Sequence, residues 1–234
     1  MRKFLLLFAV LTATLSNAQT VTQYFQSDKH FDIDGKSYYF CFTKESNPRM
    51  LVPLYPAQDC NNYYLVLTKN KAGNFVDILE KYLKKLDKWQ KTANSEKVTN
   101  MTKSLGEIYY HGMKWPKYEF AYTINNTLYT VEYTVLTGTT GIVPNWLLEI
   151  DNNGLCYISI ESILPPQKFT NNEAIESFDN TGGASISKKT VKITPGGKIM
   201  LNKEQLQWYV DTILDLAQQL DESKKENKKS KLFK

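Results

Sequence analysis

With 234 residues, an apolar fraction of 42% and a formal charge of +5, the chain can bury a sizeable core and carries no disordered or fibrous bias. Beyond the leading eighteen residues no apolar run approaches the length of a helical membrane span. Its 2 histidines and 3 cysteines are widely scattered, which excludes an ordinary zinc site and leaves little for histidine-based acid–base chemistry, so no metal or cofactor is expected.

Arg2 and Lys3 precede an apolar run from Phe4 to Ala13, and Ser16-Asn17-Ala18 offers small residues before Gln19. This pattern reads as a secretory signal peptide over 1–18, which places the chain from 19 onward in the periplasm or outside the cell. An N-terminal lipid anchor would need a cysteine just after the cut, and the first cysteine is Cys41. The basic charge is concentrated in the leader and in the segment 222–234, and the rest of the chain is close to neutral. A nucleic-acid binder would spread its charge over a folded face with interleaved aromatics, so nucleic acid is not an expected partner. The 222–234 segment reads as a basic, disordered tail that attracts anionic surfaces weakly.

The body, 19–221, is expected to form a single α+β domain. His30–Ile33 and Lys36–Thr43 flank Asp34-Gly35, a pair suited to the positive φ angles of a hairpin turn. Tyr38, Phe40 and Phe42 share one face of the second arm. Glu45 to Asp59 contains Pro48, Pro53 and Pro56 and reads as a stiff loop, followed by a strand over Tyr63–Thr68. In an oxidising compartment three cysteines allow at most one internal bridge. Cys41 and Cys60 are the candidate pair, and Cys156 reads as a buried free thiol.

Asn74 resembles a helix cap, and Phe75, Ile78, Leu79, Tyr82, Leu83, Leu86 and Trp89 recur at helical spacing, which predicts a helix over 75–92. Ala93 to Gly106 is polar and either continues that helix or frays. Tyr118–Ile124 and Thr127–Leu136 form a hairpin about Asn125-Asn126. Its register sets Tyr122 opposite Tyr129, Phe120 opposite Val131 and Glu119 opposite Glu132. A second hairpin joins Trp146–Ile150 to Leu155–Glu161 and, being apolar on both faces, belongs in the middle of the sheet. The stretch from Pro165 to Ala184 reads as irregular, with one helical turn near Glu173–Phe178. A last hairpin, Ser187–Ile193 with Lys198–Leu201, is expected about Pro195-Gly196-Gly197. The final helix, 203–220, starts from a capping box of Asn202 with Gln205. It would bury Leu206, Tyr209, Val210, Ile213, Leu214, Ala217 and Leu220. The expected architecture is a mostly antiparallel sheet covered on one face by these two helices.

Few residues suggest chemistry. Asp151-Asn152-Asn153-Gly154 superficially resembles a calcium loop, but its closing glutamate is out of place and turn chemistry accounts for it. Glu119 and Glu132 face each other and glycosidases use paired carboxylates, but directly opposed side chains lie closer than a sugar between an acid and a base usually requires, and an exposed sheet face moderated by Lys117 is the preferred reading. The segment from Tyr109 to Pro116 joins aromatics, a histidine and a glycine, making Tyr110, His111 and Trp115 candidate binding residues. Trp208 falls off the apolar stripe of the last helix and is the fourth candidate. The reading that follows is an exported, non-enzymatic module binding a ligand or partner. The alternatives are a carboxylate-dependent hydrolase of envelope or dietary polysaccharide, and a structural subunit of an envelope assembly.

Overall fold

A computed structural model describes residues 19–106, 119–132, 145–163, 167–171, 176–178, 184–186 and 189–232. It has the expected α+β architecture, an 11-stranded antiparallel sheet with two long helices. The leader 1–18 and the candidates Tyr110, His111 and Trp115 lie outside the described residues.

The first ribbon comprises β1 (Gln19–Thr22) and β2 (Tyr24–Ile33), separated by Gln23 alone. Asp34 and Gly35 take φ angles of 52° and 75° and return the chain into β3 (Lys36–Thr43), as their residue types lead one to expect. The proline-bearing stretch that follows is not all loop, because β4 (Met50–Pro56) lies within it and pairs along β5 (Asn62–Leu67). Met50, Leu51, Val52 and Leu54 are buried, and that burial overrides the turn signal of the prolines. Pro53 is tolerated because β4 changes neighbours there: β3 pairs with Met50 and Leu51, whereas the strand Gly196–Leu201 pairs with Tyr55 and Pro56. Between the two, the missing N–H of Pro53 interrupts no ladder on that edge.

Helix α1 (Lys69–Glu96) is longer than the periodic stripe suggests, since Thr68, not Asn74, caps it and accepts from the Lys71 amide at 3.4 Å. It ends at Lys97, which adopts the left-handed conformation, and the polar stretch beyond gives the edge strand β6 (Met101–Gly106). β7 (Glu119–Ile124) and β8 (Thr127–Glu132) meet at Asn125 and Asn126, with φ angles of 48° and 60°. Their register is the expected one, and the Tyr122 and Tyr129 rings stack at 5.6 Å. β9 (Asn145–Ile150) and β10 (Cys156–Ile163) form the second expected hairpin.

Two expectations fail in the next stretch. The described part of the stretch read as irregular holds short strands, β11 (Gln167–Asn171), β12 (Glu176–Phe178) and β13 (Ala184–Ile186). Glu176–Phe178 is therefore strand where a helical turn was expected, and 173–175 lie outside the described residues. β14 (Lys189–Ile193) and β15 (Gly196–Leu201) do not pair with each other: β14 joins β11, and β15 lies between β10 and β4. Gly197 is what lets β15 enter that slot, because an added Cβ would lie 2.9 Å from the Leu54 Cβ and collide with the Tyr63 ring. Helix α2 (Lys203–Leu232) opens with the expected reciprocal cap, Asn202 Oδ1 accepting from the Gln205 amide and Gln205 Oε1 from the Asn202 amide. It continues to Leu232, so most of the segment read as a disordered tail is helical.

The strands close on themselves. Following the ladders, β2 pairs with β3, β3 with β4, β4 with β5, β5 with β7, β7 with β8 and β8 with β1. Because β1 and β2 are one ribbon, this circuit is a barrel of six ribbons, narrow enough for side chains to fill its interior. Cys41, Leu51, Tyr64, Val66, Ala121 and Leu128 pack inside it, with Thr22 and Thr130 joined at 3.2 Å. The outward residues of β3, β4, β5 and β7 merge with the inner face of β15, β10 and β9 into the main core, which α1 and α2 cover. Among the described residues no helix is long and apolar enough to cross a membrane.

Candidate functional site

The first hairpin and the last helix meet on the outside of the barrel. Phe25 of β2 stands opposite Phe42 of β3, their rings 5.3 Å apart, and remains 47% exposed. Lys29, on the same face of β2, reaches Asp215 of α2 at 3.7 Å. The helix buries Leu206, Tyr209, Val210, Ile213, Leu216, Ala217 and Leu220 beneath it. Leu214, expected in this stripe, is 38% exposed, because one residue past Ile213 the helix has turned by about 100° and Leu216 takes the inward place. Trp208 lies on the flank facing the hairpin, 39% exposed, with its ring edge-on to Phe40 at 6.0 Å.

Three turns further along that flank, Gln219 and Leu220 close a recess of about 180 Å³ with Phe25, Phe42 and Pro48. Four of these five side chains are apolar, and Gln219 supplies the single amide. The arrangement can seat one aromatic or branched aliphatic group and give it one hydrogen bond. Trp208 is the only described residue of the four sequence-derived binding candidates, and it borders this surface without lining the recess. Phe25, Phe42 and Pro48 were not recognisable as a site, since neither the strand alternation nor the loop signal marks which face a distant helix will reach.

The facing carboxylates acquire a different meaning. Glu119 and Glu132 are register partners, but Glu119 is buried and not on an exposed face. Its Oε2 receives the Arg49 guanidinium, and its Oε1 lies 3.2 Å from Lys71 Nζ. Arg49 also holds Glu45 through Nε at 3.1 Å and Nη2 at 2.9 Å. Burial works against the charge of Arg49, yet the bonds to Glu45 and the field of Glu119 hold its guanidinium above its ordinary range. With both oxygens engaged by cations, Glu119 acts as a tie between the barrel and the first turn of α1.

Asp151 is also engaged internally. Its Oδ1 accepts from the amides of Asn153 and Leu155, each at 2.8 Å, and the Leu155 bond above all holds the carboxyl below its ordinary range. Gln90 pins the same turn by donating to Gly154 O at 2.8 Å and accepting from the Cys156 amide at 2.9 Å. Among the described residues no three His, Cys, Asp or Glu side chains converge as a metal site.

The three cysteines are free. Cys41 points into the barrel, where its thiol donates to Tyr39 O at 3.4 Å, and burial pushes it up to about 12. Cys60 packs against the main core outside the barrel and is pushed up by burial to about 11. A Cys41–Cys60 bridge, the candidate pairing from spacing, is therefore not formed, because strand alternation sends the Cys41 side chain to the opposite face of the barrel wall. His30 is exposed and lies against Tyr39 with the rings 4.9 Å apart.

Comparison with known proteins finds no matching family model, no matching curated protein and no matching solved structure.

Proposed function

We propose that the chain is an exported, non-enzymatic binding module whose contact surface is the recess between β2–β3 and α2. The supporting observation is an apolar hollow of about 180 Å³ beside a half-exposed Phe25. Small-molecule and side-chain pockets have this character, apolar walls with one or two polar groups that orient the guest. The engaged state of Glu119 favours binding over a carboxylate-dependent hydrolase, which needs a carboxyl free to meet its substrate. Export rests on the leader at 1–18.

The test follows backbone and side-chain resonances while the protein is titrated with 1-anilinonaphthalene-8-sulfonate and with the N-acetyl amides of phenylalanine and leucine. Saturable shifts centred on Phe25, Phe42 and Gln219 are expected, weakened about tenfold in Phe25→Asp, which sets an unpaired charge at the mouth. Absence of saturable binding by all three probes would overturn the reading of the recess. N-terminal sequencing of secreted protein should begin at Gln19, and retention of Met1 would overturn export.

A further inference from the structure

We propose that the outward faces of α1 and α2 are complementary halves of one contact, through which two copies of this chain form a two-fold dimer. The proposal does not depend on the recess being a binding site. On α1, Lys81, Lys84, Lys85, Lys88 and Lys91 are all exposed. At the helical turn per residue they fall within an arc of about 120° opposite the buried stripe, along about 15 Å of helix. Among the described residues none of the five pairs with an acid, and Lys85 lies over the Trp89 ring at 5.9 Å. The only acid between Lys81 and Lys91 is Asp87, and Lys203 holds both of its oxygens at 2.7 Å. The outward face of α2 has the opposite sign. Glu204, Asp211 and Asp215 are exposed on it, with Trp208 between the first two, and no lysine or arginine occurs from Glu204 to Gln219. Lys29 of β2 answers Asp215 alone. Soluble surfaces ordinarily mix the two signs, whereas these neighbouring helices separate them.

The layout of the helices makes that separation self-complementary. Lys203, the first residue of α2, meets Asp87 in the second half of α1. Further along α2, Gln219 borders Pro48, whose neighbour Arg49 shares Glu119 with Lys71 in the first turn of α1. α2 therefore runs back along α1, antiparallel to it. A two-fold axis along the furrow between them lays α1 of one copy over α2 of the other, and α2 over α1. The contact of Asp87 with Lys203 sets the level, so that Lys81–Lys88 faces the first two turns of α2, which carry Glu204 and Trp208. Opposite charges then meet twice, and the assembly closes. Trp208, 39% exposed, offers its ring to the lysine stems and ammonium groups of the other copy. Asp77, the one exposed acid within the outward arc of α1, falls opposite Asp211 and Asp215 and opposes the contact.

The experiment is sedimentation velocity of the chain from Gln19 over a range of concentrations. A monomer–dimer equilibrium is expected, weakened at least about tenfold when salt rises from about 0.01 M to about 1 M and the screening length falls from about 30 Å to about 3 Å. The triple variant Lys81→Glu, Lys84→Glu, Lys88→Glu should weaken self-association at least about tenfold, and so should Glu204→Lys with Asp211→Lys, because each sets like charges together. Mixed in equal amounts the two variants should dimerise again, since each supplies the sign the other lacks. Asp77→Asn should tighten the dimer about two- to fivefold. All these positions are exposed, and circular dichroism checks the fold of each variant. Carbodiimide coupling needs no variant: in a mixture of unlabelled and nitrogen-15-labelled chains it should join Lys84 or Lys88 of one copy to Glu204 of the other. A monomer at every concentration and salt overturns the proposal, even if heparin captures it, an outcome that would assign the lysines to a soluble polyanion. A dimer indifferent to salt and to both charge reversals overturns it too. Failure of the mixed variants to recover the dimer, or coupling only within one copy, would show that the two faces do not meet. Growth beyond a dimer means an open contact and overturns the two-fold closure.

Discussion

Tyr209 donates its enclosed hydroxyl to the carbonyl of Pro53 at 3.2 Å, tying the second turn of α2 to the strand where the barrel and the second half of the sheet part company. Pro53 lies in the interval between the β3 and β15 pairings of β4, so on that edge its carbonyl meets a side chain in place of a strand. Burial raises the Tyr209 hydroxyl above its ordinary range, and it stays protonated and able to donate. Tyr209→Phe keeps the ring against Phe40, 5.6 Å away, and removes only the hydroxyl. The Pro53 carbonyl is then buried without this partner, which costs about 1–3 kcal/mol. A urea titration should show a lower midpoint at unchanged slope; an unchanged midpoint would mean the bond contributes nothing to the join.

That join also marks the limit of what residue order conveys. The turns at Asp34-Gly35 and Asn125-Asn126 were legible because positive φ has a local residue signature, and the β7–β8 register followed from them. The α1 stripe was legible because one helix face carries it. β4 was not, since three prolines argue for a loop and only the exchange of neighbours around Pro53 makes a strand possible. Gly196-Gly197 looked like a hairpin turn because it has turn composition, whereas Gly197 is needed for the approach of Tyr63 and Leu54 from another part of the chain. The recess follows the same rule. Trp208 could be picked out as lying off its own helix stripe, but the partnership of Phe25 and Phe42 with Gln219 and Leu220 depends on barrel closure, which no local pattern encodes.

Glu119 gives a second measurable consequence. It lies between Arg49 of the β3–β4 connection and Lys71 of α1, at the end of β7 that faces Val66. Glu119→Gln keeps the shape, removes the charge, and leaves two partly buried cations short of a counter-ion. Removing one partner of a buried pair costs about 3–5 kcal/mol; with Lys71 a third exposed and Arg49 still bound to Glu45, about 2–3 kcal/mol is expected. A double-mutant cycle with Lys71→Met should return a coupling of about 1 kcal/mol. A loss under about 0.5 kcal/mol in Glu119→Gln, the range of ordinary surface substitutions, would remove the structural tie and reopen a chemical role for this carboxylate.

Free thiols persist in an oxidising compartment, the one proposed above for this chain, only where they are protected, and burial supplies that protection to Cys41 and Cys156. The thiolate is the reactive form, and Cys41 and Cys60, pushed up to about 12 and about 11 from 9.0, hold their protons well beyond neutral pH. Ellman's reagent at pH 8 should therefore react slowly with the native protein and release three thiols per chain in urea without reductant. Release of a single thiol would reveal a bridge, and a bridge that involves Cys41 would require the barrel wall around it to be rebuilt. The same shifts set a pH dependence. A group whose folded pKa is raised adds stability below its unfolded value and loses it as pH climbs toward the folded one. Stability should thus be level up to about pH 9 and decline between about 9 and 12. Both contributions set in near pH 9; Cys60→Ala should remove one that is complete by about pH 11, and Cys41→Ala one that extends to about pH 12.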